Sequence, residues 1–252
     1  MKKLLFLKIL CILLILFAGG TILTANAGSN GHSFQKVRLQ LKWLHQFEFA
    51  GYYIAIEKGY YKEAGIEVEL LEPQGDKSPV EIVTEGNAEF GITASDIILN
   101  RANNKKVVVL SSFFQQSPNI LLSAKKLNIN RGKDIEGKKI ALEPDSAEII
   151  AFLRNEGVAL EKKQIVPLEY EAKQLLNSEV DVISAYITDE PYYLDSIGFQ
   201  YNLISPRSGG IDFYGDILFT TEQLIKSDPE LVSHFNEATI RGWKYTMKHP
   251  EE

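Results

Sequence analysis

"EIVTEGNAEFGIT" (Glu81–Thr93) and "QLLNSEVDVISAY" (Gln174–Tyr186) share one layout. In each, apolar residues at helical spacing run into a small turn. An acidic residue follows, then an apolar strand that ends on a polar side chain. Open α/β sheets bind ligands beyond the C-terminal ends of their strands. The layout therefore puts Thr93 and Ser95, and then Tyr186 and Thr188, at the mouths of two α/β units. Two such units facing one another form a hinged cleft.

Outward from these phrases the same alternation continues. "KVRLQLKW" (36–43) alternates apolar and polar residues, as a half-buried strand does. "GYYIAIEKGYYKEAG" (51–65) has helical spacing and ends on Gly65, a left-handed cap. "IEVELLE" (66–72) reads as a strand. Ser78, Pro79 and Glu81 make a capping box with proline at the first helical position. The helix "ASDIILNRANN" and the valine-rich strand "KKVVVLSSFF" complete a first set. Strand and helix repeated three times argue a parallel sheet covered by helices. A second set begins at "NILLSAKK" and ends with the helix "EPYYLDSIG". "YNLISPRSGGIDFYG" then leads to a last strand, "DILFTTEQLI" (216–225). An amphipathic helix follows, capped by Asp228 with Pro229 in its first turn.

The composition sets limits on function. The chain has 252 residues, 45% hydrophobic and 24% charged, and a net charge of -6. A mildly acidic chain without a basic run lacks the Lys and Arg that carry phosphate binding, so nucleic acid is not an expected partner. "MKKLLFLK", a long apolar run and "ANA" before Gly28 predict a signal peptide over 1–27, with an uncleaved anchor as the other outcome. Residues 28–35 read as a linker, and 36–252 as one binding domain. Cys11 is the single cysteine, so the mature chain has no thiol for a disulfide or a zinc site. The four histidines show no metal spacing.

Five motifs in order carry a resemblance: "GYYIAIEKGYYKEAGIEVEL", "FGITASDIIL", "DIEGKKIAL", "VDVISAYITDEP" and "GIDFYGDILFTTEQLIKSDPELVSHF". Together they resemble the thiamine-pyrimidine family of periplasmic solute-binding proteins, the SsuA/THI5-like group. The resemblance implies an α/β, type II periplasmic-binding-protein fold with two α/β lobes around a ligand cleft. The first lobe would take about 36–117 and 212–252, the second about 118–211. It implies a monomeric, extracytoplasmic binder of a thiamine-precursor pyrimidine or similar heterocycle, partnered by an ABC permease. The variant "LQLKWLHQFEFAGYY" looks most like a sub-branch whose members are sensor domains of membrane-bound signalling proteins, and a tethered signalling module is the alternative partner. Family members usually continue beyond the point matching "KHPEE", so a C-terminal truncation is expected. Eukaryotic pyrimidine synthases also resemble the chain. Thr93 and Ile97 stand where their reactive Lys and His would lie, and no cysteine falls near "GIDFYGD". A Schiff base needs an amine, so neither enzyme activity nor a cofactor is expected.

The candidate ligand-binding residues follow from the strand ends. Trp43 ends the first strand, where a flat aromatic stacks on a flat heterocycle. His45 and Gln46 follow it, and Tyr52 and Tyr53 open the next helix. Ser95, beside Asp96, and Ser146, beside Asp145, sit at helix starts, where hydroxyls and amides meet polar groups. Gln116 lies at the first lobe crossing and Tyr214 and Gly215 at the return. Tyr186 and Glu190 close the second unit. Glu190 is the preferred polar contact, because a carboxylate accepts from the N–H groups of an aminopyrimidine. No catalytic and no metal-binding residue is expected.

Overall fold

The computed structural model describes residues 34–73, 77–143, 146–169 and 172–252. The expected signal peptide over 1–27 and residues 28–33 of the expected linker lie outside the described residues, as does Asp145. Gln35, read as linker, already belongs to the first strand.

The chain runs β1 (Gln35–Gln40), α1 (Ala50–Glu57), α2 (Tyr60–Glu63), β2 (Ile66–Leu71), α3 (Pro79–Thr84), β3 (Phe90–Thr93), α4 (Ile97–Ala102) and β4 (Val107–Phe114). It crosses to β5 (Asn119–Ala124), β6 (Ile140–Leu142), α5 (Ala147–Asn155), β7 (Ile165–Pro167), α6 (Lys173–Leu176), β8 (Val182–Tyr186), α7 (Glu190–Ser196) and β9 (Tyr201–Ile204). It returns through β10 (Gly215–Thr221), α8 (Glu222–Ser227) and α9 (Pro229–Lys248). Two five-stranded sheets result, in the orders β2-β1-β3-β10-β4 and β7-β6-β8-β5-β9.

Both sheets are mixed, which corrects the expectation of parallel sheets. β1 is parallel to β2 and β3, but β10 runs antiparallel between β3 and β4. β5 is likewise antiparallel to β8 and β9. The cause is connectivity. A strand that enters a sheet straight from the other lobe has no crossover helix to turn it parallel.

Local chemistry explains the elements. The Ser78–Glu81 capping box forms on α3 with Pro79 inside the first turn. The helix expected over 51–65 breaks into α1 and α2 at Gly59, whose φ of 75° leaves the helical region. The strand expected over 216–225 stops at Thr221, whose hydroxyl accepts from Leu224 N–H and starts α8. β9 has no counterpart in the sequence reading, because one of its two buried residues, Asn202, is polar and leaves no apolar alternation to read. Val37, Leu39, Phe90, Ile92 and Leu218 of the first sheet pack on Tyr52, Tyr61 and Phe235 of the helices. The second sheet has an apolar cluster around Ile140, Phe152 and Val182, and another around Leu122, Ile183 and Leu194.

Candidate functional site

The C-terminal end of β1 leads directly into the cleft. Leu41 is buried in the first lobe's core, and the next residues, Lys42 and Trp43, line a cavity of about 490 Å³. Its other walls are Pro73 and Pro79 from the first lobe and Leu142, Glu143, Ser146, Ile150, Val166 and Leu168 from the second. Pockets of about 300–1,000 Å³ with apolar walls and few polar groups are the usual size for small-molecule sites. Lys42, Trp43 and Glu143 also border a smaller recess with Gln46, Glu48, Tyr186, Asp189 and Glu190.

Lys42 organises this recess. Its side chain is 6% exposed, with Nζ 2.9 Å from Glu48 Oε1 and 3.2 Å from Asp216 Oδ1. It donates to the Tyr186 hydroxyl and lies 4.1 Å from that ring's centroid, a cation–π contact between the lobes. Burial alone would lower the Lys42 pKa, but Glu48, Asp216 and the more distant Glu143 outweigh it and hold the ammonium charged. One ammonium thus faces two buried carboxyls. Burial, with Glu48 adding repulsion, pushes the Asp216 carboxyl well up against the pull of Lys42. Asp216 also has a φ of 45°, a conformation that aspartate tolerates better than most residues.

Carboxylates dominate the remaining wall. Glu190 is buried and accepts from Tyr186 N–H at 2.8 Å. Burial, with Asp189 and Glu48 adding repulsion, pushes the Glu190 carboxyl up to about 7. Burial and Glu48 also raise Asp189. A recess of this kind offers acceptors to N–H donors, with Trp43 as a flat face beside it. Among the described residues, no cluster of three His, Asp or Glu is arranged to hold a metal.

Trp43, Gln46, Tyr186 and Glu190 come together around the recess, and Trp43 and Ser146 around the larger cavity. Gln46 donates to Glu48 Oε2 at 2.7 Å, and Ser146 Oγ donates to Glu143 O at 2.7 Å. The other candidates sit elsewhere. Tyr52 is fully buried, edge-on to Phe113 and Trp243 in the first lobe's core. His45 is exposed, with Nδ1 2.8 Å from the Tyr53 hydroxyl, so this pair closes on itself beside the cleft. Ser95 is buried in the turn before α4. Gln116 is exposed at the crossing, and Tyr214 is 57% exposed at the return. Gly215 is buried, where a Cβ would stand 3.1 Å from Pro118 Cδ; it admits the chain crossing and does not border either cavity. Sequence reasoning missed Lys42, Glu143 and Asp216. Two signals were present: a lysine between Leu41 and Trp43 at a strand end, and an aspartate opening the apolar strand "DILFTT".

Two lobes with a cross-inserted β10 and a cleft at the strand ends define a periplasmic-binding-protein fold. The solved Candida albicans protein described as having the generic periplasmic-binding-protein fold superposes with a TM-score of 0.67 at 14% identity, over 86% of this chain and 74% of that one. The aliphatic sulphonate-binding protein SsuA of Escherichia coli gives 0.61 at 14% identity, over 86% and 75%. Residues 46–252 match the family described as NMT1/THI5 like, and the chain belongs to that family. The formylaminopyrimidine-binding protein of Halalkalibacterium halodurans is 22% identical, over 97% of this chain and 76% of that protein. The riboflavin-binding protein RibY of Chloroflexus aurantiacus is 24% identical over 87% of this chain, which spans 65% of RibY. A Legionella pneumophila protein named 4-amino-5-hydroxymethyl-2-methylpyrimidine phosphate synthase is 26% identical, over 86% and 71%.

Proposed function

We propose that this chain is an extracytoplasmic, monomeric binding protein for a small, flat, polar heterocycle of the thiamine-precursor pyrimidine kind, delivered to an ABC permease. The observation that carries this reading is the cavity of about 490 Å³ between the lobes, walled by Trp43 and opening beside the carboxylates of Glu143 and Glu190. The names of the pyrimidine- and riboflavin-binding relatives agree with a flat nitrogen heterocycle. The signal-like residues 1–27 support an extracytoplasmic destination. Binding without chemistry is favoured over the synthase reaction named for the Legionella relative. Thr93 and Ile97 are both buried and supply neither amine nor imidazole, and the ammonium of Lys42 is held by two carboxyls.

Ligand sensing for a tethered signalling module is the second reading. It rests on the "HQFEF" segment, whose Glu48 is the partner of Lys42. The coding sequence downstream of Glu252 separates the two readings: a transmembrane helix and a kinase or cyclase in frame would replace transport with sensing. The ligand itself is tested by native mass spectrometry of the purified protein. A co-purifying nitrogen heterocycle is expected, and a co-purifying amino acid or sulfonate would overturn the ligand class.

A further inference from the structure

The first turn of α5 stands at the edge of the larger cavity, which Ser146 lines. A helix N-terminus of this kind attracts anionic ligand groups. Here that place is already filled. Asp96, from the first lobe, reaches across the cleft and accepts from Ala147 N–H, at 3.1 Å to Oδ1 and 3.2 Å to Oδ2. Ser146, at the N-cap position of α5, does not cap its own helix; its Oγ donates to Glu143 O instead. Glu148, in the first turn of α5, is buried and accepts from Asn119 Nδ2. Two lysines line the cavity: Lys42 is compensated by Glu48 and Asp216, and Lys77 is paired with Glu85 at 2.6 Å.

Resting on the cleft-binding reading above, we infer that Asp96 is a specificity-determining residue that makes the cleft select uncharged or cationic ligands and reject anions. Two effects act together. An anion at α5 competes with Asp96 for the Ala147 amide, and losing that bond loses a contact that holds the lobes together. It also meets the carboxylates of Asp96 and Glu143, while the two lysines that line the cavity are already engaged, Lys42 with Glu48 and Asp216 and Lys77 with Glu85. An N–H-bearing heterocycle meets neither penalty, because its donors face acceptors.

The test uses three ligands that share a pyridine ring: 3-(aminomethyl)pyridine, nicotinamide and nicotinate. Binding is read by fluorine NMR on fluorotryptophan-labelled protein. Trp43 reports the cleft, while Trp243, packed on Phe113, reports the core and the integrity of the fold. In the unsubstituted protein nicotinate is expected to bind at least tenfold more weakly than nicotinamide, and the amine at least as tightly. Asp96→Ala should raise nicotinate affinity relative to nicotinamide by tenfold or more. Asp96→Asn, which keeps an acceptor for Ala147 but removes the charge, should raise it by less. Nicotinate binding as tightly as nicotinamide overturns the inference, and so does an affinity ratio that neither substitution changes. If the Trp43 resonance is unmoved by all three ligands in all three proteins, the cleft reading falls and the inference with it. If it moves with all three without charge order, the inference alone falls.

Discussion

Replacing Lys42 by methionine keeps its length and removes its charge. The substitution leaves the carboxyls of Glu48 and Asp216 facing each other in a recess where the side chains are 6% and 0% exposed. At an effective dielectric constant of about 20, each lost ammonium–carboxylate contact is worth roughly 5 kcal/mol. Most of that is recovered because methionine needs no desolvation and because a carboxyl can take up a proton. The proton sets the ceiling. Asp216 is already pushed up by burial, and protonating one buried carboxyl from an ordinary carboxylate pKa of about 4 costs about 4 kcal/mol at pH 7. At pH 5 the same step costs only about 1 kcal/mol. The sign follows from linkage. Asp216, already raised by burial, loses the pull of Lys42 in the variant, so its folded-state pKa lies further above its unfolded one and its contribution is present at low pH and is lost as pH rises. Urea unfolding at pH 5 and pH 7, each compared with the unsubstituted protein, should therefore show a deficit near 1 and near 4 kcal/mol. The larger value corresponds to a fall in Tm of about 8–16 °C for a domain of this size. Lys42→Met with Glu48→Gln should recover most of the loss, since it removes the second charge. A deficit under about 1 kcal/mol at pH 7, or one equal at both pH values, would show that Lys42 does not neutralise this recess.

Trp43→Ala should weaken binding of the co-purifying ligand more than tenfold by calorimetry while the unfolding midpoint moves little; unchanged affinity removes Trp43 from the site. Glu190→Gln should flatten the pH dependence of stability. The buried carboxyl titrates at about 7 when folded and near 4.5 when unfolded, so its contribution is present below pH 4.5 and lost as pH rises to 7. The variant should then be more stable than its parent by about 3 kcal/mol at pH 8 and equal to it near pH 4, and parallel curves from the two proteins would refute the assignment. Gly242→Ala should cost about 3 kcal/mol or more in thermal or urea unfolding, because its Cβ would stand 2.1 Å from Gly51 O where α9 crosses α1; a normal melt would mean that the helices separate freely.

Much of the architecture was legible because it is written locally. The capping box on α3, Asp228 and Pro229 at the start of α9, and the paired helix–turn–strand phrases each depend on neighbours within a few residues. What escaped depends on distant partners. The direction of β10 is set by β3 and β4, not by its own residues. The end of that strand at Thr221 turns on one hydroxyl bond in a stretch whose apolar residues fit a strand as well as a helix. The site divides in the same way. Trp43, Tyr186 and Glu190, proposed from the ends of the expected strands, do border the recess, although β1 itself stops at Gln40. Lys42 read as the solvent-facing member of an alternating strand, because its partner Asp216 arrives only when the chain returns from the second lobe. Tyr52 had the right composition for a binding aromatic, but its position in α1 turns it to Phe113 and Trp243.

The buried charges and the aromatic wall belong to one device. Lys42 and Trp43 are adjacent, and the loop that follows them folds back so that Glu48 reaches the Lys42 ammonium while Gln46 donates to Glu48. The turn carrying Trp43 is therefore held at both ends by charge, in a recess where water does not compete. A hydrophobic trio would fill the same space with less desolvation cost. It would not, however, present an ammonium to Tyr186 when the second lobe approaches. The ion cluster thus does two things that packing alone does not: it holds the turn that carries Trp43 at the cavity wall, which the proposed function makes a stacking face, and it gives the second lobe a polar contact that exists only when the lobes meet. Asp96 on Ala147 adds another such contact from the first lobe to the start of α5. The two lobes are thus joined by bonds of their own, and under the proposed function a ligand has to preserve those bonds in addition to filling the cavity. On this reasoning, selectivity in the cleft depends as much on what a ligand leaves undisturbed as on what it touches.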